Sequence, residues 1–131
     1  MRMQALPSGA STDSRFDQMI ASSPHGMLLT DEQGLITCWN RALEHITGFP
    51  DSQVVGEAIW TVQDRLLVET DESPQLRVVQ IQFTQTLLAH GTADGVGQAL
   101  QFWIRHAGGE LRLLDASLFA LKTAHGFQIV G

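Results

Sequence analysis

Between His25 and Phe49 the sequence HGMLLTDEQGLITCWNRALEHITGF leaves the backbone few choices. Met27, Leu28 and Leu29 form a short apolar run that stops at Thr30-Asp31. Asp31-Glu32-Gln33-Gly34 places Asp where a type I turn favours it and Gly at the turn's last position. Leu35 to Trp39 form a second β-rich run, so the pair predicts a hairpin. Asn40 is a natural N-cap, because its side-chain oxygen can accept an otherwise unpaired amide of the first helical turn. Ala42, Leu43 and Ile46 give the following helix an apolar stripe, Gly48 ends it, and Pro50 prevents its resumption.

The flanking chain supplies the other elements. Residues 1–12 are small and polar, with Pro7 and Gly9, and read as a disordered leader. Asp13 or Ser14 can cap a helix over residues 13–23 whose apolar positions are Phe16, Met19 and Ile20, and Pro24 closes it. Asp51 to Val55 read as a helical turn ending at Gly56. Ser73 as N-cap and Pro74 at the first helical position open a long central helix over 74–90. Its stripe of Leu76, Val79, Phe83 and Leu87 is expected to face a sheet, with Val78, Ile81 and Leu88 packing on neighbouring short helices. Leu100, Phe102 and Ile104 alternate with Gln101, Trp103 and Arg105, as in a half-buried strand. Leu111 to Leu121 read as one long strand with Leu114, Ala116, Leu118 and Ala120 on one face, and Phe127 to Val130 as the last.

Size and charge narrow the function. A chain of 131 residues supplies one domain with a single core. Eight basic and fourteen acidic residues leave a net charge of −6, which argues against a nucleic-acid surface. No apolar run approaches the ~20 residues of a membrane span, and the N-terminus lacks the apolar core of a signal peptide. One cysteine, Cys38, makes no internal disulfide and suits a reducing cytosol, so a cytoplasmic location is expected.

Catalytic and metal signatures are sparse. There is no P-loop, no Gly-x-Ser-x-Gly elbow and no kinase signature set. Gly95-Val96-Gly97 begins like a dinucleotide fingerprint, but lacks the third glycine and leads into a strand. His25, His45, His90, His106 and His125 are scattered and make no metal-ligand spacing. His45 with Pro50 echoes a phosphoacceptor box without its acidic residue, and Gly48 breaks the helix that box needs. The chain is not expected to be an enzyme.

Pro24, Gly26, Asp31, Gly34, Asn40, Thr47-Gly48-Phe49 and Val55-Gly56, in that order and spacing, resemble the N-terminal half of a PAS domain. The three later strands resemble its C-terminal half, so the likeness covers residues 13–131. Trp60-x-x-Gln63-x-Arg65-Leu66 is similar to PAS domains of multidomain sensor histidine kinases. The resemblance implies an α+β fold: a five-stranded antiparallel sheet with short helices and one long helix on one face, plus an N-terminal helix. It implies a sensory input domain that binds a small ligand or partner and relays its state to a downstream output domain of a two-component system. The alternatives are a ligand-free dimerisation module and, from another class, a small enzyme or a haem- or flavin-dependent sensor. The last strand ends at Gly131, before the exit motif and signalling helix such domains carry, so an output domain is expected beyond it.

The PAS fold places its ligand pocket between the central helix and the inner sheet face. By pattern, Met27, Leu29, Ile36, Phe83, Leu87, Phe102, Ile104, Leu114, Ala116 and Leu118 line it. Nothing charged points into that space, so a carboxylate ligand is not expected; small Ala116 leaves room for an apolar guest or accepts Phe83 in a close-packed core, and the filled core is the reading adopted. The likeness also suggests a homodimer formed by Phe16, Met19 and Ile20 of the N-terminal helix with Trp103, Phe119 and Leu121 of the outer sheet face. Haem-binding PAS sensors take an axial histidine from the region of His90; here Gly91 follows at once, and a solvent-facing histidine favourable with the helix dipole is the reading adopted. Flavin-binding relatives place a reactive Cys after the first helices, whereas Cys38 lies on the second strand and reads as a small hydrophobe. No cofactor and no metal is expected.

Overall fold

The structure, a computed structural model, describes residue 15 and residues 17–131. The proposed leader over 1–12 and Phe16 lie outside the described residues. Helix α1 (residues 17–22) leads into β1 (Leu28–Thr30) and β2 (Ile36–Trp39). Three short helices follow: α2 (Arg41–Thr47), α3 (Asp51–Val54) and α4 (Ile59–Leu66). The long helix α5 (Ser73–His90) precedes β3 (Leu100–Arg105), β4 (Leu111–Ala116), β5 (Phe119–Thr123) and β6 (Gly126–Val130).

Local chemistry sets the first half as the sequence predicts. Asp31 Oδ1 accepts the amides of Gln33 and Leu35, both at 2.9 Å, and Gly34 takes a φ of 87° that closes the β1–β2 turn. Asn40 caps α2 by accepting Leu43 N–H at 3.1 Å, and Gly48 ends it in the left-handed region with φ 79°. Glu72 takes the cap position of α5, so Ser73 falls inside the helix, where its Oγ accepts Thr70 N–H at 2.7 Å.

In place of one five-stranded sheet, six strands form two sheets, both antiparallel. Four strands run in the order β2–β1–β6–β5, and β3 pairs with β4. The single strand expected over Leu111–Leu121 is interrupted at Ser117-Leu118. Its first part pairs only with β3 and its second only with β6. The Leu118 carbonyl is taken at 2.9 Å by Gly97 N–H, from the loop after α5. Side-chain alternation survives the break, since Leu114, Ala116, Leu118 and Ala120 are all half-buried.

The main core joins Ile36, Trp39, Val54, Ile59, Val62, Leu87 and Ile129, with Leu28, Phe83, Leu118 and Ala120 packed against it. A second cluster, Ile20, Leu29 and Val130 with Met27 and Cys38, lies on the other side of β1, beneath α1. The helix α5 departs from its expected rotation. Leu87 is fully buried and Phe83 half-buried, but Leu76 is exposed and Val79 is 59% exposed. Ser73 and Thr84 face inward instead. Two sets of contacts accompany this rotation. Arg77 pairs with Asp64 of α4 and with Glu69, and Thr84 Oγ1 bonds the Gln80 and Ile81 carbonyls at 3.0 Å, which makes its burial inexpensive. Among the described residues, no helix is long and apolar enough to cross a membrane.

Candidate functional site

The proposed pocket residues fall into three groups. Met27 and Leu29 are not on the inner face: they pack with Ile20, Cys38 and Val130 under α1. The register Leu29↔Cys38 and Leu29↔Val130 puts Leu29 on the outer side, and Leu28 takes the inward position. Ile36 and Leu87 are fully buried in the main core, with Phe83 and Leu118 at its border. Ile104 is buried and bridges to Leu67 at the end of α4.

Phe102, Leu114 and Ala116 form the third group. They share the inner face of the β3–β4 ladder, where Phe102 pairs with Leu114 and Leu100 with Ala116. Phe102 keeps 39% of its surface exposed and Leu100 keeps 58%. This end of the inner face is therefore apolar and open, whereas the end under Leu87 is filled. Phe83 of α5 lies against the loop that follows it, 3.9 Å from where a Cβ on Gly95 would sit.

The far end of the β3–β4 hairpin is fastened to α2. Arg112 Nη1 donates to the His45 carbonyl at 2.6 Å and the Ile46 carbonyl at 3.2 Å, capping the helix, while its Nε holds Glu110 at 3.1 Å. That contact lowers the Glu110 pKa below the ordinary carboxylate range. Ala107 N–H takes the Thr47 carbonyl at 2.8 Å. The His106 ring lies against Gly48 so closely that a Cβ there would sit 2.5 Å from its Cε1.

Two clefts lie elsewhere. One of about 460 Å³ runs between the end of α1 and α2, lined by Ser22, Ser23, Pro24, Arg41, His45 and Ile46. The other, about 290 Å³, lies between α4 and α5 and is lined by Trp60, Asp64, Arg77 and Ile81. Sequence periodicity pointed to neither, because each forms between two helices whose mutual placement no single-helix pattern encodes.

The remaining candidates are placed as follows. His90 is exposed at the end of α5. Cys38 is half-buried with Sγ 3.6 Å from Asp17 Oδ1, and burial followed by that carboxylate pushes the thiol pKa up, the opposite of an activated nucleophile. No group of three metal-ligating side chains comes together among the described residues. Of the proposed dimer residues, Ile20 is 2% exposed and sealed against its own Leu29 and Val130, so it cannot meet a partner in this arrangement. Met19, Trp103, Phe119 and Leu121 are exposed.

A family model of the PAS fold matches residues 14–92. A search of curated proteins gives no match. Solved structures give many. The PAS domain of a Colwellia psychrerythraea protein superposes with a TM-score of 0.61 at 14% identity, over 91% of this chain and 93% of that one. The PAS domain of Bordetella pertussis BvgS gives 0.61 at 14% identity, over 92% and 83%. The PAS domain of a LuxR-family transcriptional regulator from Burkholderia thailandensis, in complex with ethanol, gives 0.57 at 18% identity, over 88% and 95%.

Proposed function

The chain belongs to the PAS-fold family, and from that premise we propose that it is a sensory input domain whose inner sheet face at β3–β4 takes a small apolar ligand. The observation that carries this reading is the exposure of Phe102 on the inner face, opposite half-buried Leu114 and beside half-buried Ala116. Apolar surface left open there gains about 25 cal/mol per Å² when a guest covers it. The ethanol held by the Burkholderia PAS domain is a small guest of compatible chemistry. Occupancy would favour one packing of α5 against the β3–β4 hairpin, and β6, which touches both α5 and β1, would carry that preference onward. A downstream output domain, with a histidine kinase as the type its sequence resembles, would read it.

Amide shifts in a two-dimensional NMR titration with ethanol and longer primary alcohols test this. Saturable shifts centred on Phe83, Phe102, Leu114 and Ala116 are the expected result. Shifts centred on Arg41 and His45, or none at all, would remove the inner-face reading.

A second reading, an interaction module working through its outer face, is favoured by one observation. Trp103, Phe119 and Leu121 are all exposed on strands of that face. Loss of self-association on Phe119→Glu, with alcohol binding absent, would favour it over ligand sensing.

A further inference from the structure

We infer that the cleft between the end of α1 and α2 binds a small organic anion, an oxyanion head on a short apolar body, with Arg41 holding the head. The cleft is about 460 Å³, a size that suits a small molecule. Its two walls are held by one residue. The Asn40 carboxamide donates at 2.8 Å to the Ile20 and His25 carbonyls, which bracket the wall over residues 21–24. Its Oδ1 caps α2, which carries the other wall. A site whose walls are fixed beforehand loses little freedom on binding.

Charge selects the class of ligand. The chain carries a net charge of −6, yet among the described residues no carboxylate lines this cleft and one guanidinium, Arg41, does. Arg65, Arg77 and Arg112 each hold a carboxylate, whereas Arg41 meets none among the described residues. Glu44, the acid of α2, is engaged elsewhere: its Oε2 accepts Asp51 N–H at 2.7 Å, at the start of α3. A guanidinium without a carboxylate partner presents its planar fork of donors to an incoming oxyanion.

The rest of the lining agrees with that class. His45 stands one turn after Arg41 on the same side of α2 and adds a ring N–H. Ser23 Oγ accepts His25 N–H at 3.1 Å, which leaves its own O–H to donate. Ser22 already donates its hydroxyl proton to the Gln18 carbonyl at 2.7 Å, so of the two serines Ser23 has the free donor. Ala21, Pro24, Ala42 and Ile46 supply apolar lining, which a bare inorganic ion would leave uncovered and a short alkyl chain would cover. The His45 carbonyl takes Arg112 Nη1 of β4 at 2.6 Å, so a ligand seated on α2 bears on the β3–β4 hairpin.

NMR titration of the full chain with hexanoate, hexanol and inorganic phosphate tests this. Hexanoate should give saturable amide shifts centred on Ser22, Ser23, Arg41 and His45, weakened by added NaCl. Hexanol, equal in length and uncharged, should leave those residues unmoved, and phosphate should bind them more weakly than hexanoate does. Arg41→Gln should lower hexanoate affinity about tenfold or more, the loss of a charge-assisted hydrogen bond. Lys122→Gln, which removes the same charge from an exposed position on β5, should not. No saturable shift at the cleft with hexanoate overturns the proposal. So does equal binding of hexanol there, tighter binding of phosphate than of hexanoate, or a hexanoate affinity that survives Arg41→Gln. If Arg41→Gln does not fold, the comparison of hexanoate with hexanol in the wild-type chain decides.

Discussion

The carboxamide nitrogen of Asn40 donates to the Ile20 carbonyl at 2.8 Å, across twenty residues of chain. The same nitrogen donates to the His25 carbonyl at 2.8 Å, and Oδ1 accepts Met27 N–H at 2.9 Å as well as capping α2. One side chain, 4% exposed, thus fixes where α1 ends, where β1 begins and how α2 starts. Asn40→Ala leaves those backbone groups buried and unpaired. A loss of about 3 kcal/mol in urea unfolding is expected, beyond that of an ordinary cap. A loss below about 1 kcal/mol would mean that water replaces the side chain.

Rotation of α5 makes a sharp contrast between two residues that look alike in the sequence. Leu87→Ala should cost about 2–5 kcal/mol, because Leu87 is fully buried in the main core. Val79→Ala should stay within about 0.5 kcal/mol of wild type. Comparable losses at both sites would show that the helix sits in the rotation its periodicity suggests.

Gly48 combines a left-handed φ with the His106 ring at its back. Gly48→Ala should cost about 2 kcal/mol, part backbone and part collision. In a His106→Ala background the ring collision is removed, and the backbone part remains with a 2.9 Å approach to Ala107 Cβ. A double-mutant cycle with no coupling would place the ring elsewhere in solution.

Glu32 joins the β1–β2 turn to the β5–β6 hairpin by accepting Thr123 Oγ–H at 2.5 Å. That hydrogen bond is the largest cause of a Glu32 pKa below its ordinary value. A carboxylate with a depressed folded pKa contributes stability above its unfolded pKa, and the contribution is lost as pH falls through the folded one. Thr123→Val should therefore unfold at lower urea than wild type near neutrality, and the gap should close on acidification. A gap that stays constant with pH would assign the effect to packing.

What the sequence made legible was local. Asn40, Gly34 and Gly48 act through hydrogen bonds and φ angles within a few residues, and each sits where turn and cap chemistry put it. Faces set by distant partners were not legible. Met27-Leu28-Leu29 has no polar residue to mark alternation, so either parity is allowed. Only pairing with Cys38 and Val130 turns Leu29 outward. Leu76 and Val79 share a stripe with Leu87, but of these only Leu87 meets the main core, whose other members come from elements elsewhere in the chain. Phe102, Ile104, Leu114 and Ala116 do share one face of the β3–β4 ladder, because their alternation is clean.

Pairing of Leu29 with Val130 has a consequence for synthesis. The inner position of the four-stranded sheet beside β1 is filled by β6, about a hundred residues later in the chain. Until β6 arrives, the β1–β2 hairpin leaves the ribosome with one side of its ladder open, and β5 lacks its partner. Helices α3 and α4, whose contacts with β2 and α5 are nearer in sequence, can form before that point. Closure of the sheet therefore waits for β6, and the interval before it is when the nascent chain is most open to mispairing.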